Sequence, residues 1–143
     1  MATVTIKNLD RLNKKLDKLS DVDLTNIIKK ATIFVQGQAK NLAPVDTGQL
    51  RSSIHTEVKK NGKEIIGRVY TNNDHAVYVE FGTGQRGAGS NIDRPFPVTY
   101  RPDWVGMIAQ PYLYPAIKGS EKYINYLLGQ GLQDKINQIG GIR

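Results

Sequence analysis

The side chains with most chemical potential are two histidines, three carboxylates, a pair of serines and a glycine-rich run. His55 and His75 lie 20 residues apart, and neither has an acidic or histidine partner at metal-ligand spacing. The chain has no cysteine, which excludes thiolate metal sites, thiol catalysis and a disulfide framework. Ser52 and Ser53 stand next to His55, but a nucleophilic triad is a spatial arrangement that adjacency does not supply. No Gly-x-Ser-x-Gly elbow is present. Glu57 and Glu64 can approach each other across a hairpin, and Glu80 follows on the next element. General acid–base work would need a cleft that perturbs their pKa values, and the sequence shows none. Gly82-Thr-Gly-Gln-Arg-Gly87 matches the GxGxxG pattern that lets a backbone approach a pyrophosphate. That chemistry needs a helix directly after the glycines. Here Ala88-Gly-Ser-Asn91 and Arg94-Pro-Phe-Pro97 follow, so a connector is the better reading. The expectation is a protein without catalytic residues, metal or cofactor.

The elements that position these residues can be read from periodicity. Leu9, Leu12, Leu16 and Leu19 share one face of a helix over residues 8–19. Ser20-Asp-Val-Asp23 resembles a capping box, which predicts a second helix from about Asp21 to Leu42, ended by Pro44. Asp46-Thr-Gly-Gln49 has the shape of another cap, with a short helix over Thr47–Ser52. Ile54, Thr56 and Val58 then alternate as a strand, Asn61-Gly62 marks a hairpin turn, and Glu64–Tyr70 returns. Ala76–Phe81 reads as a third strand, with Tyr78 and Phe81 on opposite faces, and Pro97–Tyr100 as a short fourth. Nearly thirty residues, 82–110, lack regular pattern, which is long for a loop inside a domain. They are expected to be flexible or ordered by a partner. A long helix closes the chain over residues 112–138, weakened or kinked at Gly119, Gly129 and Gly131. The sum is one α+β domain over residues 1–143. Its antiparallel sheet of three to four strands packs against the N-terminal helices and the long C-terminal helix.

Net charge is +7, and residues 7–40 hold eight basic against four acidic side chains. A solvated lysine-rich face explains this better than a nucleic-acid footprint, because no Lys/Arg block of five occurs. A basic nucleic-acid-binding module is the alternative reading. Phe96, Tyr100, Trp104, Tyr112 and Tyr114 are interleaved with Arg86, Arg94 and Arg101. Such a set suits a stacking platform for single strands, a protein interface or a loop folded over its own core, and the interface is favoured. No apolar run fits a signal peptide or approaches the ~20 residues needed to cross a bilayer. A soluble protein made in a cytoplasm, with no membrane partner, is expected.

Three segments in order resemble a known family. The first contains Pro44, Val45, Asp46, Thr47, Gly48, Leu50, Arg51, Ser53 and Ile54; the second, Tyr78, Glu80, Phe81, Gly82 and Gly84; the third, Pro111 and Pro115. Together they are similar to minor structural proteins of tailed bacteriophages, the tail-completion or head–tail joining proteins such as the Z protein of phage lambda. The resemblance spans about residues 5–130 and departs in the insert 85–109. It implies a non-enzymatic virion protein of the neck or upper tail, assembled in the host bacterial cytoplasm. The implied protein helps to join a DNA-filled head to a tail. A sixfold ring of identical copies is implied. Implied partners are head-closure or connector proteins, tail-terminator or tail-tube proteins, and viral DNA in the lumen.

Overall fold

The computed structural model describes residues 9–20, 22–46 and 48–140. Two helices come first, α1 (Leu9–Ser20) and α2 (Thr25–Leu42), then a single turn, α3 (Gln49–Ser52). A hairpin follows, β1 (Ile54–Asn61) and β2 (Glu64–Thr71), then two short helices, α4 (Ala76–Phe81) and α5 (Gly84–Ala88). The long helix α6 (Leu113–Gln138) closes the chain. The class is α+β, with a sheet of two antiparallel strands among the described residues rather than three or four.

The start of α2 shows how local chemistry overrides a sequence signature. The helix begins at Thr25, four residues later than the capping box suggests, because Asp23 is the anchor. Its Oδ1 accepts from the Thr25 backbone N–H at 2.8 Å and from the Thr25 hydroxyl. Lys60 donates to its other oxygen at 3.0 Å, and these bonds hold the Asp23 carboxyl well below the usual range. At the other end Ala43 is extended, at φ −61° and ψ 127°, as a residue before proline must be.

The hairpin runs from Ile54 opposite Thr71 to Asn61 opposite Glu64. Its two-residue turn is Gly62-Lys63, with Gly62 at φ 60°, one position later than the Asn61-Gly62 pair marked in the sequence. This register sets Glu57 opposite Arg68, so Glu57 and Glu64 do not meet. The base of the hairpin is closed by the Ser53 and Thr71 hydroxyls, 2.6 Å apart. Gln36 of α2 donates to the Ile54 carbonyl at 2.8 Å, fixing the strand to the helix.

The expected third strand is a helix. Ala76, Glu80 and Phe81 are buried and Val77 and Tyr78 exposed, a spacing that suits 3.6 residues per turn and not an alternating strand. The Asn73 side chain accepts from the His75 N–H at 2.9 Å and its carbonyl from the Ala76 N–H, so the Asn72-Asn73-Asp74 turn opens a helix. Tyr78 and Phe81 therefore differ in burial around a helix, not across a sheet. Residues 97–100 carry no strand either.

The core is small and rich in alanine. Val35, Ala39, Ala43, Ile54, Ala76, Tyr112 and Ala116 form its centre, with Leu50, Val69, Val79, Leu113 and Ile124 packed around it. Alanines on α2 and α6 let the two helix axes approach, and Phe34 meets Tyr123 at 4.3 Å between ring centroids. Gly131 sits where a Cβ would lie 1.9 Å from the Ile27 side chain, so this glycine serves the α2–α6 contact. Ile54 is fully buried where α2, α3 and the hairpin meet. Ile54→Ala is expected to cost about 2–5 kcal/mol in urea unfolding, with an unchanged slope.

Candidate functional site

Among the described residues, a well-built surface lies around α4 and the segment after it. Glu80 is the residue that organises this region. It points inward from α4, is almost fully buried, and receives three backbone N–H groups. Tyr112 and Leu113 donate to Oε2 at 2.8 and 2.9 Å, and Tyr114 to Oε1 at 2.9 Å. These are the free amides at the start of α6, which no intrahelical carbonyl can reach. A negative side chain there also meets the positive end of the helix dipole. Pro115 fits in this first turn because it lacks the N–H that would otherwise need a partner.

Beyond α4 the chain crosses its own returning segment. Thr83 and Met107 exchange backbone bonds at 2.9 and 3.0 Å, Gln85 donates to the Trp104 carbonyl and Arg86 to that of Val105. The glycines make this crossing possible. A Cβ on Gly84 would lie 2.3 Å from the Trp104 oxygen, and one on Gly106 would lie 1.9 Å from the Thr83 oxygen. Both residues also have positive φ. The GxGxxG run thus follows a helix, lies partly within α5, and spends its backbone on residues 104–107. It has no strand–turn–helix frame for a pyrophosphate.

Arg94 ties the rest of the segment down. It donates to the carbonyls of Gly87 at 3.0 Å and Ser90 at 3.1 Å and to the Tyr100 hydroxyl at 3.1 Å. That hydroxyl in turn donates to the Phe81 carbonyl at 2.8 Å. Arg94 and Tyr100, expected at an interface, are internal struts here. Tyr112 is fully buried and belongs to the core. Tyr114 is half-buried beside Lys118, whose ammonium lies 5.6 Å from its ring centroid. What remains on the outside is apolar: Tyr78 at 53%, Trp104 at 54% and Phe96 at 56% exposure, with Val77, Val105 and Ile108. Tyr78, Val77 and Trp104 share a shallow cavity of about 220 Å³, while Phe96 packs its ring on Phe81 at 5.2 Å. Arg86 is exposed here, and Arg101 pairs with Asp103 at 2.7 Å.

The residues of the first sequence motif lie elsewhere and serve the fold. Gly48, at φ 80°, is the residue before α3 and makes no side-chain cap bond, and Asp46, where a cap was expected, is exposed. Thr47 lies outside the described residues. Leu50 and Ile54 seat α3 and β1 on the core, Ser53 closes the hairpin, and Val45 and Arg51 face solvent. Pro44, Pro111 and Pro115 are half-buried. Sequence reasoning missed Gly106 and Met107 and read Gly87 only as part of a connector; the signal available was the glycine pairing on both sides of the aromatic segment.

Residues 7–82, just over half of the chain, match a family model described as "Bacteriophage HK97-gp10, putative tail-component". The chain belongs to this family of bacteriophage tail components. No curated protein and no solved structure matches it. The matched span holds both N-terminal helices, the hairpin and α4, and it ends at Gly82, where the glycine crossing begins. A phage tail component has a structural role and a place in the virion. No described helix is long and apolar enough to cross a membrane, and the described residues hold no cluster of metal-ligating side chains.

Two measurements probe how this tail component is built. Glu80→Ala removes the acceptor for three α6 amides and is expected to cost roughly 3 kcal/mol in chemical unfolding, with Glu80→Gln intermediate. Tyr112 has a buried hydroxyl with no partner, and burial, then the nearby Glu80 charge, push its pKa up to about 12. The unfolded chain ionises this phenol near its ordinary pKa of 10.0 while the folded chain keeps it neutral. Its contribution to stability is therefore complete below pH 10 and falls as pH rises toward 12. Tyr112→Phe is expected to lack that alkaline loss and to unfold at no lower temperature than the wild type at pH 7.

Proposed function

We propose that this tail component is a non-enzymatic connector of the neck or upper tail. It completes the tail and helps to join it to the DNA-filled head, as a ring of identical copies with sixfold symmetry. One face of the ring meets head-closure or connector proteins, the other tail-terminator or tail-tube proteins. The ring is assembled in the host bacterial cytoplasm and carried in the virion.

The observation that supports this reading is the apolar surface of a segment already bonded to itself. Tyr78, Phe96 and Trp104 are exposed on a scaffold held by the Thr83–Met107 crossing and by Arg94. Aromatic side chains presented without an ordering cost are what interface centres use.

Contact with DNA in the lumen is a weaker part of the proposal. Of the basic side chains on the hairpin, Lys59 and Lys60 are paired with Glu57 and Asp23. Any DNA contact is therefore expected to be weak, non-specific and steeply reduced by salt.

Deleting the gene from its phage should leave separate filled heads and tails in electron micrographs. A gene carrying Tyr78→Ala and Trp104→Ala should yield a soluble, folded protein but at least about tenfold fewer joined particles. Joined, infectious particles formed without this chain would overturn the reading.

A further inference from the structure

Asn61-Gly62 carries a chemistry that the hairpin turn does not use. Of the asparagines in the sequence, only Asn61 precedes a glycine. An asparagine side chain and the next backbone nitrogen are spaced to close a succinimide ring. A side chain on the following residue obstructs that closure, and glycine has none. The place where a Gly62 Cβ would stand is open, with nothing within 4 Å.

The hairpin leaves both reacting groups unoccupied. Its ladder ends with Asn61 opposite Glu64, so the Gly62 amide lies outside it. Among the described residues, neither that amide nor the Asn61 side chain has a hydrogen-bond partner. One constraint opposes the reaction. Pairing with Glu64 keeps Asn61 extended, and ring closure needs a backbone rotation there, so the tip must open first. Little holds it shut. Every residue from Lys59 to Glu64 is exposed, and the first partly buried side chains inward from the turn are Val58 and Ile65. Lys59 pairs with Glu57 at 3.1 Å and Lys60 with Asp23 at 3.0 Å, and such solvent-reached pairs hold weakly. Lys63 has no acidic partner among the described residues. With Lys59 and Lys60 it surrounds the Gly62 amide with positive charge, which eases the loss of its proton.

We propose that Asn61 is a site of spontaneous covalent modification, which converts it to aspartate and isoaspartate in the folded protein. The Gly62 nitrogen loses its proton and attacks Asn61 Cγ. The N–Cγ bond forms, the Cγ–Nδ2 bond breaks, and Nδ2 leaves with a proton as ammonia. Water then opens the succinimide at either carbonyl. One route leaves aspartate, and the other leaves isoaspartate, whose Cβ becomes part of the main chain. The sum is asparagine plus water giving acid plus ammonia, with no oxidant or reductant. Either product alters the tip. The formal net charge of +7 falls by one. A carboxylate at position 61 faces Glu64 across the ladder, and like charges directly opposite oppose pairing. Isoaspartate also adds a main-chain atom beside Lys60, the residue that reaches Asp23 ahead of α2. Conversion therefore loosens the hold of the hairpin on the link between α1 and α2.

Purified full-length protein is held at physiological temperature in mildly acidic and mildly alkaline buffer, and its peptides are weighed over time. The mass gain of an amide-to-acid change should appear at Asn61, faster in the alkaline buffer. It should be at least about tenfold faster there than at any other asparagine. Enzymatic carboxyl methylation should detect isoaspartate at the same position. Asn61→Ser should abolish the change, and Asn61→Gln, whose longer side chain closes a larger ring, serves if the serine variant fails to fold. In hydrogen exchange the Thr25 amide of aged protein should exchange at least about threefold faster than in fresh protein, and Asn61→Ser aged alongside should show no difference. No conversion at Asn61 in the folded chain, whether or not the urea-unfolded chain converts, would overturn the site. Conversion with unchanged exchange at Thr25 would overturn its effect on α2. Neither result bears on the connector reading.

Discussion

The structure depends on one buried carboxylate. Glu80 is carried by a helix of only six residues, yet it terminates the longest helix of the chain. A helix start leaves amides without partners, and burying them unpaired would oppose the fold. Three charge-assisted bonds from one side chain satisfy them and set the axis of α6 relative to α4. The orientation of α6 then decides where Tyr112 and Ala116 enter the core and where one wall of a groove between α2, β2 and α6 stands. Neighbouring Tyr112 bears part of the consequence, with its hydroxyl buried beside that charge and unpartnered.

Around this anchor the chain buries rather little. Among the described residues seven make the central core, four of them alanine, while leucines, isoleucines and aromatic rings remain on the outside. A domain with this balance has its larger apolar side chains available for other molecules. The glycine crossing serves the same end. By letting two backbone segments meet at van der Waals distance, it turns a long irregular stretch into a platform held by main-chain bonds. Such a platform presents rings in fixed positions, which lowers the entropy lost on contact.

Long amphipathic helices were legible in the sequence because their signals are local. The leucine stripe of α1, the proline that ends α2, and the hairpin around Gly62 lie within one or two residues of the structure. Ala76–Phe81 was misread because six residues with β-branched and aromatic members suit either period. What decides it is the buried Glu80, whose partners lie 32 to 34 residues away. Where the sequence suggested an Asp46 cap, the residue before α3 is a left-handed Gly48. The family match spans residues 7–82, and the motif residues described within it serve packing and turns. The surface they support is formed by long-range crossings that no local pattern encodes.

The central claim is that this phage tail component acts as a connector between head and tail. Electron cryo-microscopy of purified virions tests it most directly. The account predicts a ring of this chain at the head-proximal end of the tail, with the Tyr78–Trp104 face against a neighbouring virion protein. Virions in which the chain is absent, or sits only at the distal tail tip, would contradict it.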